Sequence, residues 1–179
     1  HKHIVRAFAG HPTEAHRAGC KALDALYGKR IDSLADIVVV SPGGAPKDMN
    51  LYQAQKALDN AKHAVKKDGI IILTAACIEG LGESTFEKWM TQAKEPDELI
   101  RRIRADFKLG GHKAAAIAMV MQSADVYLVS DLSPELVKSI FFRPFGSAQQ
   151  ALDQAFCELG HDSKVLLMPC GGSTLPLLK

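Results

Sequence analysis

The sequence has little with which to staple itself, cross a membrane or grip a polyanion. Its four cysteines, Cys20, Cys77, Cys157 and Cys170, show no C-x-x-C spacing, and the first residues carry no signal-peptide pattern. The expectation is reduced thiols in a cytoplasmic protein. No apolar segment approaches the ~20 residues that a membrane span needs, so no membrane partner is expected. A net charge of +2 with scattered lysines and arginines argues against nucleic acid. The densest basic cluster, RRIR at 101–104, reads as a solvated helix face. Familiar catalytic signatures are missing too. There is no G-x-x-x-x-G-K-[ST] phosphate loop, no G-x-G-x-x-G, no G-x-S-x-G elbow and no local Cys-His signature. His11 and His16, five apart, share no helix face and have no evident carboxylate partner, so no metal site is expected.

What is present is the pattern of a layered α/β protein. A chain of 179 residues, 47% hydrophobic, is long enough to bury roughly 70% of its unfolded surface without staples. The expectation is a single α/β domain over residues 1–179. Five apolar runs lie at 4–10 (IVRAFAG), 36–41 (DIVVVS), 69–77 (GIIILTAAC), 125–131 (DVYLVSD) and 164–170 (KVLLMPC). The central ones are continuous rather than alternating, as in strands covered on both faces. Helical patterns separate them. PTEAHRAGCKALDALYG carries Ala15, Ala18, Ala22 and Leu26 at helical spacing, with Thr13 as the expected N-cap and Gly28 as the stop. NLYQAQKALDNAKHAVKKDG is the clearest helix, with a stripe of Leu51, Ala54, Leu58, Ala61 and Val65 after an Asn50 cap and a Lys66-Lys67 end. Five more helices follow, with Pro96 and Pro134 in first turns. The alternation predicts a doubly wound, mostly parallel sheet with helices on both faces, a Rossmann-like three-layer fold.

Open sheets of this kind bind ligands beyond the carboxyl ends of their strands. Three glycine-rich turns fall there: SPGGAPKDMN, IEGLGES and CGGSTLP; a fourth, KLGGHKAAA, opens a helix. On the helix after the first turn, Tyr52, Gln53 and Lys56 point away from the Leu51/Ala54/Leu58 stripe, and Gln53 and Lys56 are neighbours. A helix start with free N–H groups and a lysine suits a carboxylate or phosphate. From spacing alone, an anion site and a solvated helix face are both open. His112 and Lys113, after Gly110-Gly111, are open in the same way between acid–base work and a surface or capping role.

The chain resembles the C-terminal portion of the lactate racemase family, the nickel-pincer-nucleotide-dependent racemases and epimerases of 2-hydroxy acids. ADIVVVSPGGAPKDMNLYQAQKAL is similar to the family pattern A-D-I-x-I-S-x-G-G-x-P-x-D-x-N-x-Y-Q-x-x-K, which is long and specific. IVRAFAGHPTEAHRAGC, KKDGIIILTAACIEGLGESTF, DVYLVSDLSPEL and KVLLMPCGGSTLPLL resemble further family segments, so the likeness runs nearly the whole length.

That resemblance implies the substrate-side domain of a longer two-domain enzyme, with the active site in the cleft between domains. The nickel pincer accepts a hydride from C2 of the 2-hydroxy acid while a histidine removes the hydroxyl proton. Hydride return to either face of the 2-keto acid inverts the centre. The residues that tether the cofactor, ligate nickel and move the proton belong to the family's N-terminal domain. The partners implied are therefore a small 2-hydroxy acid and that missing domain, and the chain alone should be inactive, with no catalytic residue and no tightly bound cofactor. Its opening HKHIVRAFAG, which lacks a methionine, fits a fragment. The resemblance assigns Tyr52, Gln53 and Lys56 to substrate, with Lys56 as partner of its carboxylate, and Gly43, Gly44, Tyr52 and Gln53 to the cofactor. The family's tryptophan against its small substrate aligns with His112. His112 and Lys113 thus imply a more polar pocket and a larger or more polar 2-hydroxy acid. The family's G-H-G-G turn also reads Gly80-Leu81-Gly82-Glu83 here. The competing reading is a stand-alone α/β module that binds a phosphorylated or nucleotide ligand without catalysis.

Overall fold

The computed structural model describes residues 3–179. After helix α1 (Pro12–Tyr27) and a short strand β1 (Gly28–Ile31), the chain enters a five-stranded sheet through β2 (Ala35–Val40), β3 (Val65–Thr74) and β4 (Ala124–Val129). β5 (Arg143–Phe145) forms one edge and β6 (Val165–Met168) the other, in the order β5-β4-β3-β2-β6, all parallel. β7 (Leu175–Leu178) pairs with β1 in a separate two-stranded parallel sheet. From β2 the chain steps outward to β5, then returns to place β6 on the other side of β2. The switch point therefore lies between β2 and β6.

The continuous apolar runs are explained by cover on both faces. Val38, Val40, Ile71, Leu73, Val126 and Leu128 face one core. That core also receives side chains of α2 (Leu51–Ala61), α3 (Ser84–Gln92), α4 (Pro96–Ala105), α5 (Gly111–Met121) and α6 (Pro134–Ser139). Ile37, Ile70, Ile72 and Tyr127 face the other core, closed by Ala151 and Ala155 of α7 (Ala148–Leu159). This is the expected doubly wound, three-layer α/β fold. Register aligns Val40 with Leu73 and Met168, Thr74 with Val129, and Val129 with Phe145, so the strands' carboxyl ends form one edge.

Several expectations are corrected. The run at 4–10 is no strand: Ile4 and Val5 are 88% and 76% exposed, with no partner strand to complete a ladder. Thr13 does not cap α1, because Pro12 takes the first turn and His11 the cap position. α1 forms where its spacing predicts, yet none of its residues is buried. The helix after Asn50 ends at Ala61, and Val65 to Lys67 belong to β3. Pairing of Val65 with Ala35 overrides the helical stripe, and Lys66 reaches the Asp36 carboxylate at 2.7 Å instead of ending a helix. Gly69 permits the approach of strands there, since a Cβ would lie 2.6 Å from the Asp36 carbonyl oxygen. The short strands β1, β5 and β7 escape pattern reading; Pro144 is tolerated because β5 is an edge strand.

Candidate functional site

Three of the glycine turns extend from the common edge. The turn after β2 and the turn after β6 sit against each other at the switch point, where Gly171 N donates to the Ser41 carbonyl at 2.7 Å. Lys47 Nζ donates to Ser173 Oγ at 3.1 Å across the same seam. Gly43 and Gly44 have φ of +102° and +76°, which an L side chain rarely adopts. The turn after β3 packs on the start of α2. Cys77 N and Glu79 N donate to the Asp48 and Met49 carbonyls, both at 2.8 Å. The fourth turn joins it: Gly110 (φ +91°) lies so close to the Glu83 carboxylate and Thr85 that it has no room for a side chain.

The start of α2 departs from the sequence reading in one respect. Its first amide groups are not free to hold an anion. Leu51 N and Tyr52 N donate to the Gly80 and Leu81 carbonyls at 3.2 and 3.0 Å, and Gln53 N to the Asn50 side-chain oxygen at 3.0 Å. Asn50 is the N-cap, as expected, and its Nδ2 also donates to Glu79 Oε2 at 3.0 Å. The turn after β3 thus acts as a lid on the helix dipole. Any anion here must be met by side chains.

Two ammonium groups supply that capacity. Lys56 is exposed on the outer face of α2, and its Nζ donates to Gln53 Oε1 at 3.0 Å. Lys113, in the first turn of α5, reaches across to α2 and donates to the Tyr52 carbonyl at 2.6 Å. Its Nζ lies 3.8 Å from the centre of the Tyr52 ring, a cation–π distance. Phe86 packs edge-on against that ring at 5.6 Å, and Gly82 (φ +98°) lets the backbone pass close to the Asn50 side chain and Tyr52 Cβ. Tyr52, Gln53, Lys56 and Lys113 therefore form one connected cluster. Burial pushes the Lys113 ammonium down to about 8, helped by repulsion from Lys56 and opposed by Asp59.

The other nominated residues are not joined to this cluster by any contact described. His112 Nδ1 accepts from Gly110 N at 3.2 Å, and its ring stacks on Phe107 at 6.0 Å. Accepting at Nδ1 leaves Nε2 as the donor of the neutral ring. Gly43 and Gly44 belong to the switch-point seam. Sequence reasoning missed Lys47, Asn50–Glu79 and the Gly82 and Gly110 contacts. The glycines were signalled by the turns that contain them; nothing in the spacing singles out Lys47. Cys77 is buried, and that burial pushes its thiol up to about 12, so it is no nucleophile.

Among the described residues no three His, Cys, Asp or Glu side chains converge as a metal-ligand set. The donor set is ammonium, amide and aromatic, which fits carboxylates and phosphates and does not fit a nickel ion. No described helix is long and apolar enough to cross a membrane.

A doubly wound α/β domain with a cationic cluster at the start of α2 is the class these features define. Residues 31–175 match the family model described as the lactate racemase C-terminal domain, and the chain belongs to that family. Lactate racemase of Thermoanaerobacterium thermosaccharolyticum is 33% identical over 177 residues, 96% of this chain and 41% of that protein. Lactate racemase of Lactiplantibacillus plantarum is 30% identical over 176 residues, again 41% of its length. The chain thus spans about two fifths of these relatives. The lactate racemase apoprotein structure from T. thermosaccharolyticum superposes with a TM-score of 0.85 at 32% identity, covering 97% of this chain and 43% of that one. A Thermotoga maritima protein, 15% identical with a TM-score of 0.60, shares the fold.

Proposed function

We propose that this chain is the substrate-side domain of a racemase or epimerase of 2-hydroxy acids, lining a cleft completed by a second domain of the same protein. The observation that carries this reading is Lys56. Its ammonium stands on the outer face of α2, steadied by Gln53 at 3.0 Å, and no carboxylate of the described residues pairs with it. An uncompensated cation beside a polar amide is ready for the carboxylate that every 2-hydroxy acid carries. Tyr52 and Gln53 would border the reacting end of the substrate and, with the backbone of Gly43 and Gly44, would be this chain's contacts to the cofactor. A nickel-pincer nucleotide, for which the described residues offer no metal-ligand set and which a second domain would hold, would supply hydride chemistry at C2 when bound. This chain's part is to bind the acid, fix its orientation and keep water from the reacting carbon.

A stand-alone phosphate-binding module has less support, because the α2 amides that would cradle a phosphate are occupied by Gly80, Leu81 and Asn50. The deciding experiment is to produce the full-length protein with its cofactor and follow optical activity over a panel of 2-hydroxy acids. Loss of optical activity with at least one acid is expected. No turnover of any acid by cofactor-loaded protein would overturn the reading.

A further inference from the structure

We propose that Lys113 forms a second anion subsite beside Lys56, so that the preferred substrate is a 2-hydroxy acid with a second anionic group. The inference rests on the racemase reading above and specifies its substrate class.

The two ammonium groups come from different helices and converge on the same turn of α2. In an α-helix the carbonyl of Tyr52 faces the N–H of the residue four positions on, which is Lys56. Lys113 Nζ, bonded to that carbonyl at 2.6 Å, therefore sits over the stretch of backbone from which the Lys56 side chain springs. Like charges brought together in this way repel. Neither lysine has an ion-pair partner among the described residues. The nearest influence of opposite sign on Lys113 is Asp59, which is committed to Lys62 at 2.6 Å.

Lys113 is also half-buried, and desolvation and Lys56 together lower its proton affinity. A protein that only needed to tie α5 to α2 could do so with an apolar side chain at less cost. Each ammonium spends a donor on α2, Lys56 on Gln53 and Lys113 on Tyr52, and keeps others to spare. Lys56 then takes the carboxylate next to C2, and Lys113 takes the far anion.

The shared chemistry is a second anion, which a carboxylate or a phosphate can provide. The test uses the full-length, cofactor-loaded protein with 2-hydroxy monocarboxylates, 2-hydroxy dicarboxylates of matched chain length, and a phosphorylated 2-hydroxy acid. KM for a dianionic acid is expected to be about tenfold below that of its monoanionic match, roughly the worth of one partly screened ion pair. Lys113→Met, which also frees Tyr52, should raise KM for both acids but for the dianion by about tenfold more, erasing that difference, and Lys113→Arg should largely restore it. Whichever of dicarboxylate and phosphate is favoured identifies the source of the anion. A merely structural lysine would raise KM for both substrate classes by the same factor. That result, or equal KM values for mono- and dianionic acids in the unaltered protein, would overturn the subsite while leaving the racemase reading intact. No turnover of any acid would overturn both.

Discussion

Lys113 Nζ is held between the carbonyl of Tyr52, at 2.6 Å, and the face of the same residue's ring, at 3.8 Å. One side chain of α5 thereby fixes the position of both the backbone and the aromatic group that opens α2. The contact ties the stability of the helix pair to the charge state of the proposed binding cluster.

The sign of that linkage is fixed by the direction of the shift. The lysine releases its proton at about 8 in the folded protein and at its ordinary 10.5 when unfolded. Between those values the unfolded chain binds more protons, so this group makes stability rise with pH. Below pH 8 the buried charge is a constant cost. Lys113→Met removes the linkage. The stability of the unaltered protein relative to that variant should therefore improve from pH 7 to pH 10, by about 1 kcal/mol after allowing for solvent screening. Urea titrations of both proteins at the two pH values measure it, and a difference that does not change with pH would contradict the burial of this ammonium.

Gly82 makes a second prediction. Its φ of +98° is strained for any L side chain, and a Cβ would lie 2.8 Å from the Asn50 side chain and 3.1 Å from Tyr52 Cβ. Gly82→Ala should cost about 2 kcal/mol and disturb the N-cap together with Tyr52. Thermal unfolding checks the first effect, and a raised KM in the full-length protein checks the second.

Far from the site, Glu158 accepts from Arg143 at 2.8 and 2.9 Å and from the Tyr127 hydroxyl at 2.8 Å. The Arg143 hydrogen bond leads in drawing its carboxyl down to about 2, from an ordinary 4.5. A depressed acid stabilises the fold above its unfolded value and loses that contribution as pH falls from 4.5 towards 2. Glu158→Gln should lower stability by about 1 kcal/mol at neutral pH, the pair being partly exposed and screened, with little difference left near pH 2. Denaturation at several acidic pH values tests this, and an equal deficit at every pH would contradict it.

The sheet and the edge at which its strands end were legible because burial on both faces writes itself as uninterrupted apolar runs such as DIVVVS and GIIILT. Asn50 was legible as a cap because its side chain competes locally for amide groups. What the sequence concealed depends on contacts distant in the chain. Val65 continues a helical stripe and becomes a strand only because Ala35 is there to pair with it. The free amides expected at the start of α2 are filled by Gly80 and Leu81, from a turn nearly thirty residues further on by their numbers. Lys113 carried no periodic signal of its own; its meaning comes from reaching Tyr52 across two helices. Lys56 and Gln53 were legible as a pair, since three residues on a helix always bring side chains together.

The most direct test of the account is the substitution Lys56→Met in the full-length, cofactor-loaded protein, assayed with an acid that the unaltered protein racemises. Lys56 is exposed and its only described side-chain bond is to Gln53, so the fold should be unaffected within about 0.5 kcal/mol. Loss of a charge-assisted bond to the substrate carboxylate predicts a KM raised on the order of a hundredfold, with a smaller effect on kcat. An unchanged KM in a folded, cofactor-loaded variant would contradict the placement of the substrate on this face of α2.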